Sequence, residues 1–509
     1  MISIRTTLMI GPPPVWGVAD LHIHQFAKLG FGGRSFFNVP GNDVSEAGLK
    51  RAVDGGLRLM TMLVVNTEAY CLVRAPNAPC TDEEAITAQL NAATAFEQRI
   101  DAVNGGQGKG WYRIVKNPAE ARAAIAKNQL AVVLGVEVDS PLGCREIGHP
   151  LNNLKLQVVM NVPAIQPCTP ADIQQRLDAL FAKGVRQLNP IHLANNGFGG
   201  YALYDDKLIL NNLFLNDGLP AMRDCSGHQY DYQFRPKAVI VDAIAPIVSA
   251  LIQPVKNNPG DCNAKGLTPL GEFVVARLMA EHMIIDIDHM SELSAAGALV
   301  IADRAGYPLM TSHSGLFEAS QRGQDKVAEG QRRPEELDAI RDRGGIAAII
   351  LHQGKTSEIP SFPGSSVPND CGGSPKTFAQ VYQFALQRMR GPVAIGTDLN
   401  AADGYVGPRF GSKACGGNDV EAKAQSLGSQ VTYPLPVFLS TGWTAGTLPV
   451  SVQLPNYNTS GYAEVGLFPE FLRDLHNSGL ADDKMTMLFR SAEAYIEMWE
   501  RIEARGPAQ

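Results

Sequence analysis

The sequence predicts an α/β chain folded as a (β/α)8 TIM barrel with long loop insertions and C-terminal helices. Three observations predict it. Eight near-continuously apolar, β-rich runs recur along the chain, as buried parallel strands require. Alanine-rich amphipathic stretches separate several of them. Finally, His22, Glu137, His192, His289, His313 and Asp398 fall toward the C-terminal ends of their runs, the ends that meet at one mouth in a barrel. A doubly wound open sheet is the competing arrangement, and the placement of these polar residues favours the barrel.

In order, the runs are "WGVADLHI" (16–23), "LRLMTMLVV" (57–65), "LAVVLGVEV" (130–138), "VRQLNPIHL" (185–193), "MIIDIDHM" (283–290), "YPLMTSHS" (307–314), "GIAAIILHQ" (345–353) and "PVAIGTDL" (392–399). Two helices are legible from their ends. "TDEEAITAQLNAATAFEQRIDAV" opens on Thr81 with an acidic first turn, and "SELSAAGALVIADRAG" runs from Ser291 to Gly306. The domain plan is a leader over 1–16, a metal-dependent barrel over 17–405, a Gly/Pro/Ser-rich excursion over 406–460, and C-terminal helices over 461–509 that pack on the barrel. An insertion at about 199–263 interrupts the barrel. Long loops at a barrel mouth usually shape its site.

The bulk composition narrows the function classes. With 509 residues, 45% of them hydrophobic, a large core is available. A net charge of -7 with no basic run argues against nucleic acid as a partner. No apolar stretch reaches the roughly 18 residues of a membrane helix, so no transmembrane segment is expected. The opening "MISIRTTLMIGPPPVWG" is a poor signal peptide. The eight cysteines lie mostly in turn-like contexts without a CxxC pair. They suit disulfides, such as one closing "CLVRAPNAPC" between Cys71 and Cys80, as well as they suit free thiols. Disulfides would lean toward an exported protein; otherwise a cytoplasmic one is expected.

Taken singly, each histidine reads as a hydrogen-bonded core or surface residue, Glu137 as an ion-pair partner and Asp398 as a turn residue. Together they read differently. Five of the ten histidines, His22, His24, His192, His289 and His313, lie at the ends of four of the eight runs, and His352 lies at the end of the seventh. The other five, His149, His228, His282, His352 and His476, are background. Imidazole and carboxylate are the preferred ligands of zinc and similar divalent ions. His22 and His24, two apart on one strand, face the same way and can hold one ion. His289 and His313 sit on adjacent strand ends and can share a second, with Glu137 bridging the pair and Asp398 opposite. No G-x-S-x-G supports a serine nucleophile, and "GGQGKG" lacks the P-loop spacing. The "NTS" at Asn458 is a glycosylation sequon.

The segment "GLTPLGEFVVARLMAEHMIIDIDHMSELSAAGALVIADRAGYPLMTSHSGLF" (266–317) resembles the renal, or membrane, dipeptidase family of the amidohydrolase superfamily. "LHIH", "LGVEV", "GVRQLNPIHLANN" and "IGTDL" follow the family's blocks in order. The resemblance implies a (β/α)8 barrel with two zinc or other divalent ions, possible homodimers, and cleavage of a dipeptide or related small amide. It implies that His22, His24, Glu137, His289 and His313 are the metal ligands and that Asp398 is the catalytic acid/base. His192 would contact the substrate and stabilise the reacting oxygen. Arg322, Arg332 or Arg333 would bind the substrate carboxylate. Here His-x-His replaces the family's His-x-Asp, and "DLNAADG" replaces Asp-Phe-Asp-Gly. The expected function is thus a dinuclear zinc hydrolase working through a metal-bridging hydroxide. The alternatives are hydrolysis of another bond (lactone, ester or deamination) and a non-catalytic metal-binding barrel.

Overall fold

The computed structural model describes residues 12–31, 44–68, 70–71, 79–146, 168–216, 218–234, 258–320, 327–351, 365–399, 406–417, 428–451 and 453–505. Each of the eight apolar runs contains one strand: β1 (Val18–Ile23), β2 (Leu57–Asn66), β3 (Leu130–Val138), β4 (Val185–Leu188), β5 (Ile284–Ile285), β6 (Met310–Leu316), β7 (Ile346–Ile350) and β8 (Ala394–Gly396). Successive strands pair in parallel from β1 to β5 and from β6 to β8, and β8 returns to β1. A parallel bridge between Asp286 and Met310, with the Ile287 N–H donating to Met310 O at 3.0 Å, joins β5 to β6 and closes the ring. Closure rules out the doubly wound open sheet.

The strands are apolar on both faces because one face fills the barrel and the other packs under helices. All nine residues of β3 are buried. Helix starts are written locally. Asp82–Val103 begins with a capping box between Thr81 and Glu84, and Pro170–Ala182 with one between Thr169 and Asp172. Glu292–Ala305 is capped by Ser291 and stops at Gly306, which takes the left-handed conformation (φ +60°) that glycine adopts without cost.

Two strands are shorter than their runs suggest. β4 stops at Leu188, because Pro190 has no N–H to continue the ladder and restricts the residue before it. His192 therefore stands on a loop past the strand. β5 keeps two residues before the chain turns toward His289.

The C-terminal helices Phe468–Asn477, Asp482–Phe489 and Ser491–Glu503 cover the barrel at the end where the strands begin. Ser491 Oγ accepts from Ala19 N–H at 2.8 Å, and Glu493 accepts from Val15 N–H at 2.7 Å. Tyr495 reaches Gln187 on β4, donating to its Oε1 at 3.3 Å. With that end covered, the mouth at the strands' C-terminal ends is where a site can form.

That mouth is edged by loops that are covalently tied. All eight cysteines are paired: Cys71–Cys80, Cys144–Cys168, Cys225–Cys262 and Cys371–Cys415. Every disulfide lies on segments that follow the C-terminal end of a barrel strand, β2, β3, β4, β7 or β8. The described part of the insertion after β4 comprises a helix, Asp206–Asn216, and an antiparallel hairpin of Met222–Asp224 with Asp261–Asn263. Buried asparagines bind it to the β4 loop. Asn195 N–H donates to Asn212 at 2.8 Å, and Asn263 donates to Asn195 at 2.7 Å.

Candidate metal centre

At the mouth Glu137, on β3, is 1% exposed, and its two oxygens face different partners. Oε2 lies 2.9 Å from His22 Nε2 and 3.5 Å from His24 Nε2. Oε1 lies 3.2 Å from His289 Nε2 and accepts from Asn189 Nδ2 at 3.1 Å. His289 and His313 approach Nε2 to Nε2 at 2.9 Å, and His22 and His24 at 3.2 Å. Asp398 Oδ1 is 3.1 Å from His24 Nε2 and 3.7 Å from His22 Nε2. His192 Nε2 is 3.8 Å from Glu137 Oε2.

Around Glu137 three sets of potential ligand atoms fall within 4.8 Å of one another: His22, His24 and Asp398; His22, Glu137 and His313; Glu137, His192 and His289; a fourth, Cys225, Cys262 and Glu292, has its cysteines in a disulfide. The grouping differs from the sequence-based one. Asp398 and His192 join sets instead of standing apart, and His22 belongs to two.

The far nitrogen of each imidazole also has a neighbour. His22 Nδ1 meets Ser312 Oγ at 2.7 Å, and His24 Nδ1 meets Leu63 O at 3.0 Å. His289 Nδ1 meets Tyr204 OH at 3.1 Å. His313 Nδ1 meets Asp288 Oδ2, and His192 Nδ1 lies near Asp139 Oδ1, at 3.1 and 3.2 Å. Leu63 O and an ionised Asp288 only accept, so the facing Nδ1 atoms of His24 and His313 carry hydrogen. In the neutral rings the Nε2 lone pairs of both then point into the centre. Lone pairs crowded in this way repel unless a proton or a cation lies between them. A buried set of imidazoles and carboxylates with this orientation fits a divalent metal.

The electrostatics agree. Burial pushes the Glu137 carboxyl up, but the imidazoles of His22, His192 and His289 outweigh it and hold it well below the usual range. Burial pushes His22 down to about 4, against the pull of Glu137, so this ring is neutral near pH 7. Burial opposes charge on His313 too, yet its bond to Asp288 lifts it to about 10.

Local backbone geometry aims two of these side chains. His289 (φ +63°) and Asp398 (φ +51°) are left-handed non-glycine residues, a costly conformation that clusters at functional sites. Asp20 steadies the turn before Asp398. Its Oδ1 accepts from the N–H groups of Thr397 at 3.0 Å and His22 at 3.2 Å, and its Oδ2 from Thr397 Oγ1 at 2.7 Å. The Asp398 N–H donates to His22 O at 2.9 Å, tying β8 to β1 at the site.

Of the arginines implied by the resemblance, the two described ones do not join this group. Arg332 is 1% exposed and turned to Glu336 (3.1 Å) and Asp288 (3.9 Å). Arg333 lies over the Phe317 ring at 4.3 Å and bonds to Glu335 and His228 O. Arg322 lies outside the described residues. Sequence reasoning missed Asp20, Asp139, Asp288, Ser312 and Tyr204. Asp20 and Asp139, two residues from His22 and Glu137, and Asp288 and Ser312, adjacent to His289 and His313, carried a signal by position; Tyr204 carried none.

No protein-family profile matches the chain, and no curated protein matches it in sequence. Solved structures do. A metallo peptidase from Rhodobacter sphaeroides, liganded with a phosphinate mimic of the dipeptide L-Ala-D-Ala, is similar at a TM-score of 0.50 and 12% identity, over 96% of this chain and 99% of that one. The probable dipeptidase PvdM from Pseudomonas aeruginosa is similar at 0.49 and 14%, over 96% of each chain. The dipeptidase AC, also a metallo peptidase, is similar at 0.48 and 12%, over 95% of this chain and 98% of that one. The chain shares the fold of the Rhodobacter sphaeroides metallo peptidase over nearly its whole length.

Proposed function

We propose that the chain is a metal-dependent hydrolase, with two zinc or similar divalent ions, that cleaves the amide bond of a dipeptide or related small amide. The observation that carries this reading is the two-sided contact of Glu137, one oxygen toward His22 and His24 and the other toward His289. A carboxylate so placed can hold two cations side by side. The fold shared with a metallo peptidase is consistent with it.

When bound, a pair of divalent ions polarises the amide carbonyl and lowers the pKa of water toward neutrality. The protein's own groups do the rest. His22, His24 and Asp398 surround one position, and His289 and His313 the other, with Glu137 between. Asp398, the most exposed of these groups with 21% of its side chain open, takes the proton of the attacking water. It then returns that proton to the leaving nitrogen, which must depart as a neutral amine. His192 Nε2, on the β4 loop, faces the centre beside Glu137 and donates to the oxygen that gains charge.

Among the described residues no helix is long and apolar enough to cross a membrane. Four disulfides favour maturation in an oxidising compartment, and we read the protein as exported.

The test is a kinetic panel of dipeptides, N-acyl amino acids and lactones on zinc-loaded protein. Dipeptide cleavage that is lost on chelation supports the proposal. Turnover of lactones alone would place the chain among hydrolases of another bond.

A further inference from the structure

Arg332 is the buried arginine that the sequence offers as a substrate anchor, and its surroundings give it different work. Asp288, 3% exposed, lies between Arg332 and the metal centre. Its Oδ2 receives His313 Nδ1 at 3.1 Å and the backbone N–H groups of Ser312 and His313 at 2.7 Å each. Its Oδ1 receives the hydroxyls of Thr311 and Ser314 and lies 3.9 Å from Arg332 Nε. Arg332 is fixed in turn by Glu336 at 3.1 Å. Asp288 also precedes His289 in the chain. One residue therefore grips the ring of His313 from behind while its backbone leads directly into His289.

The other position is braced differently. His22 Nδ1 and His24 Nδ1 meet an uncharged hydroxyl and a backbone carbonyl, Ser312 Oγ and Leu63 O. A carboxylate behind a ligating imidazole fixes its tautomer and raises its basicity, and losing such a partner typically weakens metal binding by about 10–100-fold.

We infer that Asp288, backed by Arg332, is the positioning pair for the His289/His313 metal position, and that Arg332 does not bind the substrate carboxylate. The inference rests on the dinuclear reading above. It predicts two unequal positions: the one at His313 depends on Asp288 directly, and the one at His22 only through Ser312, whose N–H and hydroxyl both face Asp288 Oδ2, at 2.7 and 3.5 Å.

The experiment is chelator competition on the full-length chain loaded with zinc, with metal per chain counted by elemental analysis and circular dichroism recorded alongside. Cobalt-loaded samples supply a ligand-field spectrum. Wild-type protein should retain two ions. Asp288→Asn, nearly isosteric, should lower the affinity of one ion by roughly 10–100-fold and that of the other by clearly less. Arg332→Met should do the same, and Arg332→Lys, which keeps the charge, should restore retention. At saturating metal, Arg332→Met should leave KM for a dipeptide within about twofold of wild type. The inference is overturned if Asp288→Asn keeps both affinities, or if Arg332→Met raises KM at least tenfold with metal retention intact. Wild-type protein that binds no metal would sink the dinuclear reading itself, together with this one.

Discussion

The rings of His22 and His313 stack with centroids 3.6 Å apart, although β1 and β6 are not neighbours in the barrel. The contact draws together two strands that β7 and β8 separate in the wall. Cations held there would cross-link the barrel's upper rim. Removing them should therefore lower the melting temperature. A ligand present at about 100 times its dissociation constant contributes about 2.7 kcal/mol, so a shift of a few degrees is expected, reversed by adding zinc. An unchanged melt after verified metal removal would contradict this.

Glu137→Gln tests the bridge. The amide keeps the shape but loses the charge and replaces one acceptor oxygen with a donor. Metal content should fall below one ion per chain, with the circular dichroism spectrum preserved. Retention of two ions would end the bridging role.

Asp398→Asn separates chemistry from binding. The variant should keep at least one ion and its dipeptide KM, while kcat falls by about 10²–10⁴-fold, the usual scale of general acid/base catalysis. A loss of only a few fold would remove Asp398 from proton transfer.

Cys371 and Cys415 join the loop after β7 to the loop after β8, beside the strand that presents Asp398. Closing a loop of this length is worth roughly 2–4 kcal/mol. Replacing both cysteines by serine should lower stability on that scale in denaturant titration and reduce kcat/KM more than metal content. Equal stability of the variant would show that this tie is dispensable.

The strands were legible because a barrel strand must be apolar on both faces, and each of the eight runs read from the sequence contains one. Their C-terminal polar residues were legible for the same reason: a charged or imidazole side chain ending an apolar run has somewhere definite to go. The supports were not. Ser312 reads as an ordinary hydroxyl and Tyr204 as a loop aromatic until the fold brings them to His22 and His289. A family resemblance also cannot tell a buried arginine from one facing substrate, which is why Arg332 and Arg333 stood as candidates for a role their contacts do not favour. His192 was expected at a strand end, but Pro190 ended β4 early and left it on a loop.

The most direct test is a crystal structure of zinc-loaded protein with anomalous data collected across the zinc edge. Two anomalous peaks roughly 3.5–4 Å apart are expected. Glu137 should lie between them, with His22 and His24 about one and His289 and His313 about the other. No peak at the barrel mouth, or ions bound only elsewhere, would contradict the account.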